Sequence, residues 1–193
     1  MRNKIVYVLL CLMLCVTFIP AAAFADSETP AVPSGIWTDS AAKEFAGGSG
    51  TKDDPYQIET AEQLAKLAKE VNSGVYGQTH SGEYFKLTED INLSAHRWIP
   101  IGSGTTSESV HAFFGYFDGN YKIITGMYVD ESKSRENAGL FGNVTGVLLE
   151  NITIKNGYVK ADTVNGENSD GAGILIGSAT EMGGSKLKPE VKN

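Results

Sequence analysis

The chain has 193 residues, with 16 Lys or Arg, 23 Asp or Glu and a net charge of −7. A predicted secretory signal over residues 1–25 holds two of the basic residues and no acidic one, so the remaining 168 residues (193 − 25) carry a charge of 14 − 23 = −9. This balance argues against binding to nucleic acid or to an anionic membrane, because both need basic clusters. The 22 glycines and a single strongly helical stretch favour one turn-rich β domain.

The first 25 residues have the three parts of a secretory signal. Arg2 and Lys4 are basic, the apolar run Ile5–Ile19 follows, and Ala23 and Ala25 are the small residues that a signal peptidase reads. Cleavage is predicted after Ala25. The run is shorter than the roughly 20 residues of a membrane span, so we expect an extracellular or cell-surface protein with no membrane insertion after cleavage.

Both cysteines, Cys11 and Cys15, lie inside this signal. Cys15 follows Met13 and Leu14, where a lipid-modified cysteine requires small residues, so a lipoprotein is not predicted. The mature chain then has no disulfide, no thiolate nucleophile and no cysteine metal ligand. Core burial must therefore stabilise the fold.

Residues 26–44 read as a leader, with Pro30 and Pro33 and a first short strand at Ile36-Trp37. The glycine-rich segment Phe45–Tyr56 resembles a phosphate-binding loop only at first glance. It lacks the Lys-Ser/Thr end of such a loop and no helix follows it directly, so a turn or linker is predicted.

A capping helix is predicted at about residues 60–73. Thr60 can accept a hydrogen bond from the amide of Gln63, and the Gln63 side chain can reach back to the amide of Thr60. One apolar stripe has helical spacing: Leu64, Leu67, Ala68 and Val71. A helix with one apolar face, just before a run of strands, is predicted to cover an open end of a β core. Lys66 can pair with Glu62 and Glu70 on the outer face.

From Tyr84 onward the apolar period changes from 3.6 to 2, which predicts strands. In the first such segment Phe85, Leu87, Ile91 and Leu93 share one parity, with a corner near Glu89-Asp90. Further short strands are predicted in these segments: 98–102 with two inward isoleucines, 113–129 as two strands around a turn at 118–120, 138–144, 148–154 and 172–179.

Weak internal repeats underlie these strands. Asp90–Leu93, Gly126–Val129 and Asn151–Ile154 share one pattern, and Ala138–Gly142 and Ala172–Gly177 share another. The spacings between aligned residues are irregular, at 36, 25 and 34 positions. Such repeats predict a solenoid with loops of unequal length. The alternative is a β-sandwich, which favours longer strands and hairpin turns.

Six segments in this order resemble the GLUG-motif family of secreted and cell-surface bacterial proteins: TAEQL (60–64), YFKLTEDINLS (84–94), WIPIG (98–102), FFGYFDGN (113–120), AGLFGNV (138–144) and ENITI (150–154). AGILIGSA (172–179) is a second GLUG-like unit. The resemblance covers residues 45–179. It implies an all-β fold, a right-handed parallel β-helix with an N-terminal capping α-helix, in adhesin-like surface proteins. It implies no defined activity.

Two features depart from the family pattern. Tyr121 stands where these proteins usually have glycine, and no strand unit is apparent after residue 179. Residues 180–193 are therefore predicted to be a flexible polar tail. With the last coil uncovered, the protein is expected to be a monomer or to associate weakly end to end.

No catalytic, cofactor-binding or metal-binding residue is assigned from the sequence. His80, His96 and His111 are predicted to be solvated loop residues, and the Asp90–His96 pair has no serine partner. The other charged candidates fall at turns or beside loops: Arg97, Asp118, Asp130, Glu131, Arg135 and Asp170. Six aromatic residues either fill the core or contact a sugar or protein: Tyr84, Trp98, Tyr116, Tyr121, Tyr128 and Tyr158.

These observations predict an exported, non-enzymatic module that acts in adhesion and recognition or as a structural spacer, with a host or cell-surface protein or a glycan as its partner. A carbohydrate-active β-helix enzyme is the first alternative, favoured if two acids and an Arg or Lys converge in one groove. A continuous exposed aromatic strip favours binding. An uncovered apolar end at Ala179 favours the second alternative, a fragment of a longer surface protein.

Overall fold

The computed structural model describes residues 29–104, 111–132, 137–146, 148–161, 172–180 and 190–192. The chain divides into two compact units, residues 1–30 and 31–193. All elements below belong to the second, and the predicted signal and its cleavage site lie outside the described residues. The elements are the helix α1 (Ala61–Ser73), a 3-10 helix (Trp37–Ser40) and twelve strands: β1 (Tyr56–Ile58), β2 (Tyr84–Leu87), β3 (Ile91–Asn92), β4 (Tyr116–Asp118), β5 (Ile123–Thr125), β6 (Tyr128–Glu131), β7 (Phe141–Thr145), β8 (Leu148–Glu150), β9 (Thr153–Lys155), β10 (Tyr158–Ala161), β11 (Ile176–Thr180) and β12 (Glu190–Lys192).

The fold is all-β with one α-helix, and the strands form four parallel sheets. Sheet A has the order β1-β2-β4-β8-β12, sheet B β3-β5-β9, sheet C β6-β10 and sheet D β7-β11. The chain visits the sheets in the order A, B, C, D through β4 to β7 and repeats that order through β8 to β11. Every pair of named strands is parallel, so the described residues do not form the antiparallel hairpins of a β-sandwich.

Sheet A has a regular register. Tyr84 pairs with Tyr116 and Tyr116 with Leu148, so equivalent residues are 116 − 84 = 148 − 116 = 32 positions apart. The following residue of each strand points into the core, and Phe85, Phe117 and Leu149 are at most 1% exposed. Like residues thus lie above one another at the strand spacing of roughly 4.8 Å.

Sheet B repeats this arrangement with isoleucine. Ile91 pairs with Ile124, which pairs with Ile154. Ile91 and Ile124 are buried, and Ile154 packs against the core from a half-buried position. The repeat predicted from sequence is therefore wrong in its alignment, because it placed Met127 and Ile152 opposite Ile91.

The helix confirms the predicted stripe. Leu64, Leu67, Ala68 and Val71 are all buried in the core. The amide of Gln63 donates to the Thr60 hydroxyl at 3.3 Å, as a capping residue requires. The Gln63 side chain, however, accepts from the amide of Glu59 at 2.8 Å and not from that of Thr60. The return bond of the predicted capping box is thus shifted by one residue.

The C-terminal end of α1 is fastened to the segment that follows Trp98. Asn72 Nδ2 donates to the carbonyl of Pro100 at 2.9 Å, and its Oδ1 accepts from the amides of Gly102 and Ser103 at 2.8 and 3.1 Å. Gly102 has φ +81°, and a Cβ there would lie 2.4 Å from the Asn143 carbonyl oxygen. Only glycine fits this junction between the helix and β7.

Two tryptophans anchor the polypeptide between elements. Trp37 is 5% exposed and its indole donates to the Leu93 carbonyl at 3.0 Å. Trp98 is 1% exposed and donates to the Leu140 carbonyl at 3.0 Å. The predicted strand at Ile36-Trp37 is wrong: Ile36 forms a single bridge to Arg97, and the chain then turns into the 3-10 helix that inserts Trp37.

Several strands differ from the sequence prediction. Residues 113–129 contain β4, β5 and the start of β6, which belong to three different sheets and not to a two-stranded turn. β1 and β10 were not predicted. Of the two isoleucines expected inside at 98–102, Ile101 is fully buried and Ile99 is half-buried.

The C-terminal region also corrects the prediction. β12 pairs with β8 over Glu190–Lys192, and β11 extends to Thr180, so the tail predicted over 180–193 contains strand residues at both ends. Within the described part of the chain, β9, β10, β11 and β12 each pair on one side only. Leu175 and Ile176 pack against the core, whereas Ile174 is 45% exposed.

Candidate functional site

A groove of about 410 Å³ lies on the outer face of sheet A. The period-2 alternation of β2, β4 and β8 builds its floor, since residues that flank the buried ladder point outward. One row across the strands is Tyr84, Tyr116 and Leu148, and the parallel row is Lys86, Asp118 and Glu150. Lys52 and Pro55, from the turn before β1, add to the lining.

The two tyrosines of the groove stack on each other. Their ring centroids are 4.3 Å apart with an interplanar angle of 11°. Partial desolvation raises the pKa of Tyr84 above 10.0, and the charge of Tyr116 and a hydrogen bond to it add to this shift. Tyr84 is therefore a neutral phenol at physiological pH and can donate or accept a hydrogen bond.

Asp118 accepts hydrogen bonds at the corner where the chain passes from sheet A to sheet B. Its Oδ1 accepts from the Asn120 amide at 2.7 Å and from Asn151 Nδ2 at 2.9 Å. Asn120 and Asn151 both have positive φ, at 49° and 54°, which asparagine tolerates better than most residues. The other oxygen of Asp118 lies 3.7 Å from Lys86 Nζ. Both oxygens are thus already engaged by the protein.

Glu150 occupies the equivalent position one strand further along. Its side chain is half-buried, and in the register of sheet A the residue lies opposite Lys192 of β12. The described lining contains two lysines, Lys52 and Lys86, and two acids, Asp118 and Glu150, so these residues are charge-balanced within a strongly acidic chain.

No local sequence pattern indicates this groove, because the residues that build it are ordinary strand residues. A comparison at the 32-residue spacing reveals them, since Tyr84, Lys86, Tyr116, Asp118 and Glu150 then fall into two rows. Asp118 had been predicted only as a turn residue.

None of the three histidines is among the described residues that line the groove. His80 was predicted to be solvated, but its side chain is only 14% exposed and lies between Glu70 and Glu83. His96 Nδ1 lies 2.7 Å from the carbonyl oxygen of Ser34, so it does not pair with Asp90. Asp90 accepts from the amide of Ile123 at 2.8 Å. His111 Nδ1 is buried with no hydrogen-bond partner in the described residues.

The remaining charged candidates that the structure describes have contacts typical of a structural role. Asp130 accepts hydrogen bonds from Ser132, and Glu131 is buried. Burial raises the pKa of Tyr128; Asp130 and Tyr158 add to the shift, and Arg97 partly opposes it. Arg135 and Asp170 lie outside the described residues. No group of three metal-binding side chains occurs in the part of the chain that the structure describes.

The six aromatic candidates do not form one exposed strip. Trp98 and Tyr128 are core residues, at 1% and 4% exposure. Tyr128 stacks on Tyr158 in sheet C with centroids 4.8 Å apart, and only Tyr121 is strongly exposed, at 75%. The stacked pairs of sheets A and C are separate features.

Comparisons with known proteins give two relatives and no assigned family. No family model matches the chain, and no solved structure matches it significantly. A Gly-rich membrane protein of Evansella cellulosilytica is 33% identical over 142 residues, which cover 70% of this chain and 14% of that protein. Halomucin of Haloquadratum walsbyi is 33% identical over 121 residues, 58% of this chain and 1% of halomucin. The chain thus spans a small part of each relative. None of the described helices is long and apolar enough to cross a membrane.

Proposed function

We propose that this chain is an exported, non-enzymatic recognition module of the GLUG-motif type, built as a right-handed parallel β-helix and displayed at the cell surface. The observation that carries the proposal is the 32-residue register of sheet A. It stacks equivalent side chains in straight rows on a solvent-facing surface. Rows of this kind suit the binding of an extended partner, as the concave faces of other repeat proteins do.

The connectivity supports the β-helix. The chain passes through sheets A, B, C and D in the same order in two successive rounds, and the joined strands are all parallel. Each round buries one layer of apolar residues against the next, as a solenoid requires. Helix α1, with its six buried residues, then covers the N-terminal end of the stack.

The surface location rests on the sequence of residues 1–25 and on the names of the relatives. One relative is named a Gly-rich membrane protein and the other halomucin, and these names suggest a surface or membrane-associated location. Matches to a small part of much longer chains fit a module that occurs within larger proteins.

Expression of the complete chain in a Gram-positive host tests export. We expect the protein in the medium or cell-wall fraction, with a new N-terminus at Asp26. Leu9→Arg with Leu10→Arg breaks the apolar run and should retain the protein in the cell. Beads coated with the exported chain should adhere to bacterial or host cells, whereas beads coated with albumin should not. Export without adhesion would reduce the module to a spacer, and a wild-type chain retained inside the cell would refute surface display.

A carbohydrate-active enzyme is the second candidate, because the groove collects Asp118, Glu150 and Lys86. Neighbouring acids on adjacent strands are within the range of spacing that a retaining glycosidase uses, about 5 Å. Against it, both oxygens of Asp118 are bound by Asn120, Asn151 and Lys86. Release of reducing ends from a polysaccharide, abolished by Glu150→Gln, would establish the enzyme and overturn the non-enzymatic proposal.

A further inference from the structure

The groove on sheet A has two chemically different rows that run along the stacking direction. Tyr84, Tyr116 and Leu148 form an aromatic and apolar row, and Lys86, Asp118 and Glu150 form a charged row. Both rows cross three strands and repeat at the strand spacing of roughly 4.8 Å. A ligand that contacts all three strands must be linear and must repeat at a similar distance.

The charge of the lining selects the ligand class. Among the described lining residues, Lys52 and Lys86 balance Asp118 and Glu150, so these residues carry no net charge with which to attract a polyanion or a polycation. The rest of the chain is acidic, which further disfavours uronic acid polymers and nucleic acids. A neutral ligand is the remaining class.

The polar groups of the lining can both donate and accept. The Glu150 carboxylate lines the groove and can accept two or more hydrogen bonds. Lys52 can only donate, and the phenols of Tyr84 and Tyr116 can do either. A ligand rich in hydroxyl groups, which donate and accept equally well, matches this set of groups.

The repeat distance separates a saccharide from a peptide. An extended peptide presents side chains on one face every two residues, about 6.6 Å, and loses register with the strands after one step. A pyranose ring is about as long as the strand spacing of roughly 4.8 Å, so one sugar can lie over each strand.

Tyr84 and Tyr116 offer their edges and hydroxyls to a ligand, and not the faces that stack on each other. Their faces cover each other at 4.3 Å, so the mutually stacked faces are closed to a sugar ring. Their edges and hydroxyls remain at the groove. Recognition at this site therefore depends on hydrogen bonds more than on stacking of a sugar against an aromatic face.

We propose that this groove binds a linear, neutral oligosaccharide of at least three sugars, aligned with the stacking direction, with Glu150 as the principal acceptor for its hydroxyl groups. The inference rests on the proposed recognition function and names its ligand class.

Calorimetry on the exported chain, purified from culture medium, tests this binding. The neutral probes are the hexasaccharides of cellulose, xylan, mannan and chitin. The charged controls are hexamers of galacturonate and of glucosamine, and an extended polar peptide is the control for a protein partner. At least one neutral hexasaccharide should bind, and its trisaccharide should retain most of the affinity whereas the monosaccharide should not.

Two variants locate the binding in the groove. Glu150→Gln should weaken binding about tenfold, because a charged acceptor with two oxygens becomes a neutral amide with one acceptor oxygen. Glu89→Gln, at an exposed position outside the groove, should leave the affinity within about twofold of wild type. Tyr84→Phe with Tyr116→Phe keeps the stack, removes both hydroxyls and should also weaken binding. Circular dichroism must show that all variants are folded.

Each other outcome overturns the proposal. If a folded, exported chain binds no neutral hexasaccharide, the groove proposal fails while the recognition module stands. Tighter binding of a charged hexamer or of the peptide refutes the ligand class. Binding that Glu150→Gln and the double tyrosine variant leave unchanged refutes the site. Release of new reducing ends during the titration refutes binding without catalysis.

Discussion

The Nε2 atom of His80 lies 3.0 Å from a carboxylate oxygen of Glu70, so the loop after α1 is tied to the last turn of that helix. The Nδ1 atom of the same ring lies 2.5 Å from Glu83. The ring also lies edge-on to Phe85, with centroids 5.2 Å apart, so the two contacts with the carboxylates lie next to an aromatic residue of the core. Glu70 in turn pairs with Lys66.

His80→Phe should destabilise the attachment of α1. An aromatic ring remains, but the two contacts with the carboxylates are lost, and we expect the free energy of unfolding to fall by about 1–3 kcal/mol. The glutamates are more than a third exposed, which places the effect in the lower part of that range. Urea denaturation measures the change. Lys69→Gln, on the exposed face of the same helix, should have no measurable effect, and equal stability of both variants would contradict the structural role of His80.

The isoleucine ladder of sheet B should tolerate no charge. Ile124→Asp places an unpaired carboxylate between Ile91 and Ile154 and should cost several kcal/mol, enough to unfold a domain of ordinary stability. Thr125→Asp, on the outward side of the same strand, should cost less than about 1 kcal/mol. Thermal melts followed by circular dichroism compare the two. Similar melting temperatures would show that the phase of β5 is wrong.

Leu67 tests the role of the helix as a cover. It is fully buried, and Leu67→Asp should detach α1 and expose the apolar core that the helix covers, which favours aggregation. The matched variant is Lys69→Asp, two residues along on the exposed face. Lys66 is unsuitable as a control because it pairs with Glu70 and lies 4.9 Å from the ring centroid of Phe45. Light scattering after size exclusion should detect aggregates of the first variant only, and a monomeric, folded Leu67→Asp protein would rule out the covering role.

Hydrogen exchange should differ between the middle and the end of the stack. β4 pairs on both sides, with β2 and β8, whereas β11 pairs with β7 alone in the described residues. Amides of Tyr116–Asp118 should therefore exchange more slowly than those of Ile176–Ala179. Mass spectrometry at two protein concentrations makes the comparison. Slower exchange of β11 at the higher protein concentration would indicate association through this edge. Equal protection of β4 and β11 at both concentrations would mean that the edge is covered.

Local patterns were sufficient to predict the helix and the side chains near β2 and β3 that point into the core. The stripe of α1 and the parity of Phe85, Leu87, Ile91 and Leu93 follow from spacing alone, and all these residues are buried. β10 was missed because its four residues carry no clear alternation. It exists through its pairing with β6, where Tyr158 lies opposite Tyr128, 30 residues earlier. Pairing over such a distance is not encoded in a local window.

The repeat alignment failed for a related reason. The register of sheet B places Ile123 where the pattern of Asp90–Leu93 has a polar residue and Gly126 where it has an apolar one. The true equivalent of Ile91 was therefore hidden, and Met127 was taken in its place. The groove depends on register in sheet A, so it could not be found until equivalent positions were known.

The two indole groups described above provide an optical readout of unfolding without an added dye. Trp37 is hydrogen-bonded to Leu93, which directly follows β3 of sheet B. Trp98 is hydrogen-bonded to Leu140, which directly precedes β7 of sheet D. The variants Trp37→Phe and Trp98→Phe would each leave one emitter at a known place. If the two emission changes occur at different urea concentrations, the stack opens from one end, and if they coincide it opens as a unit.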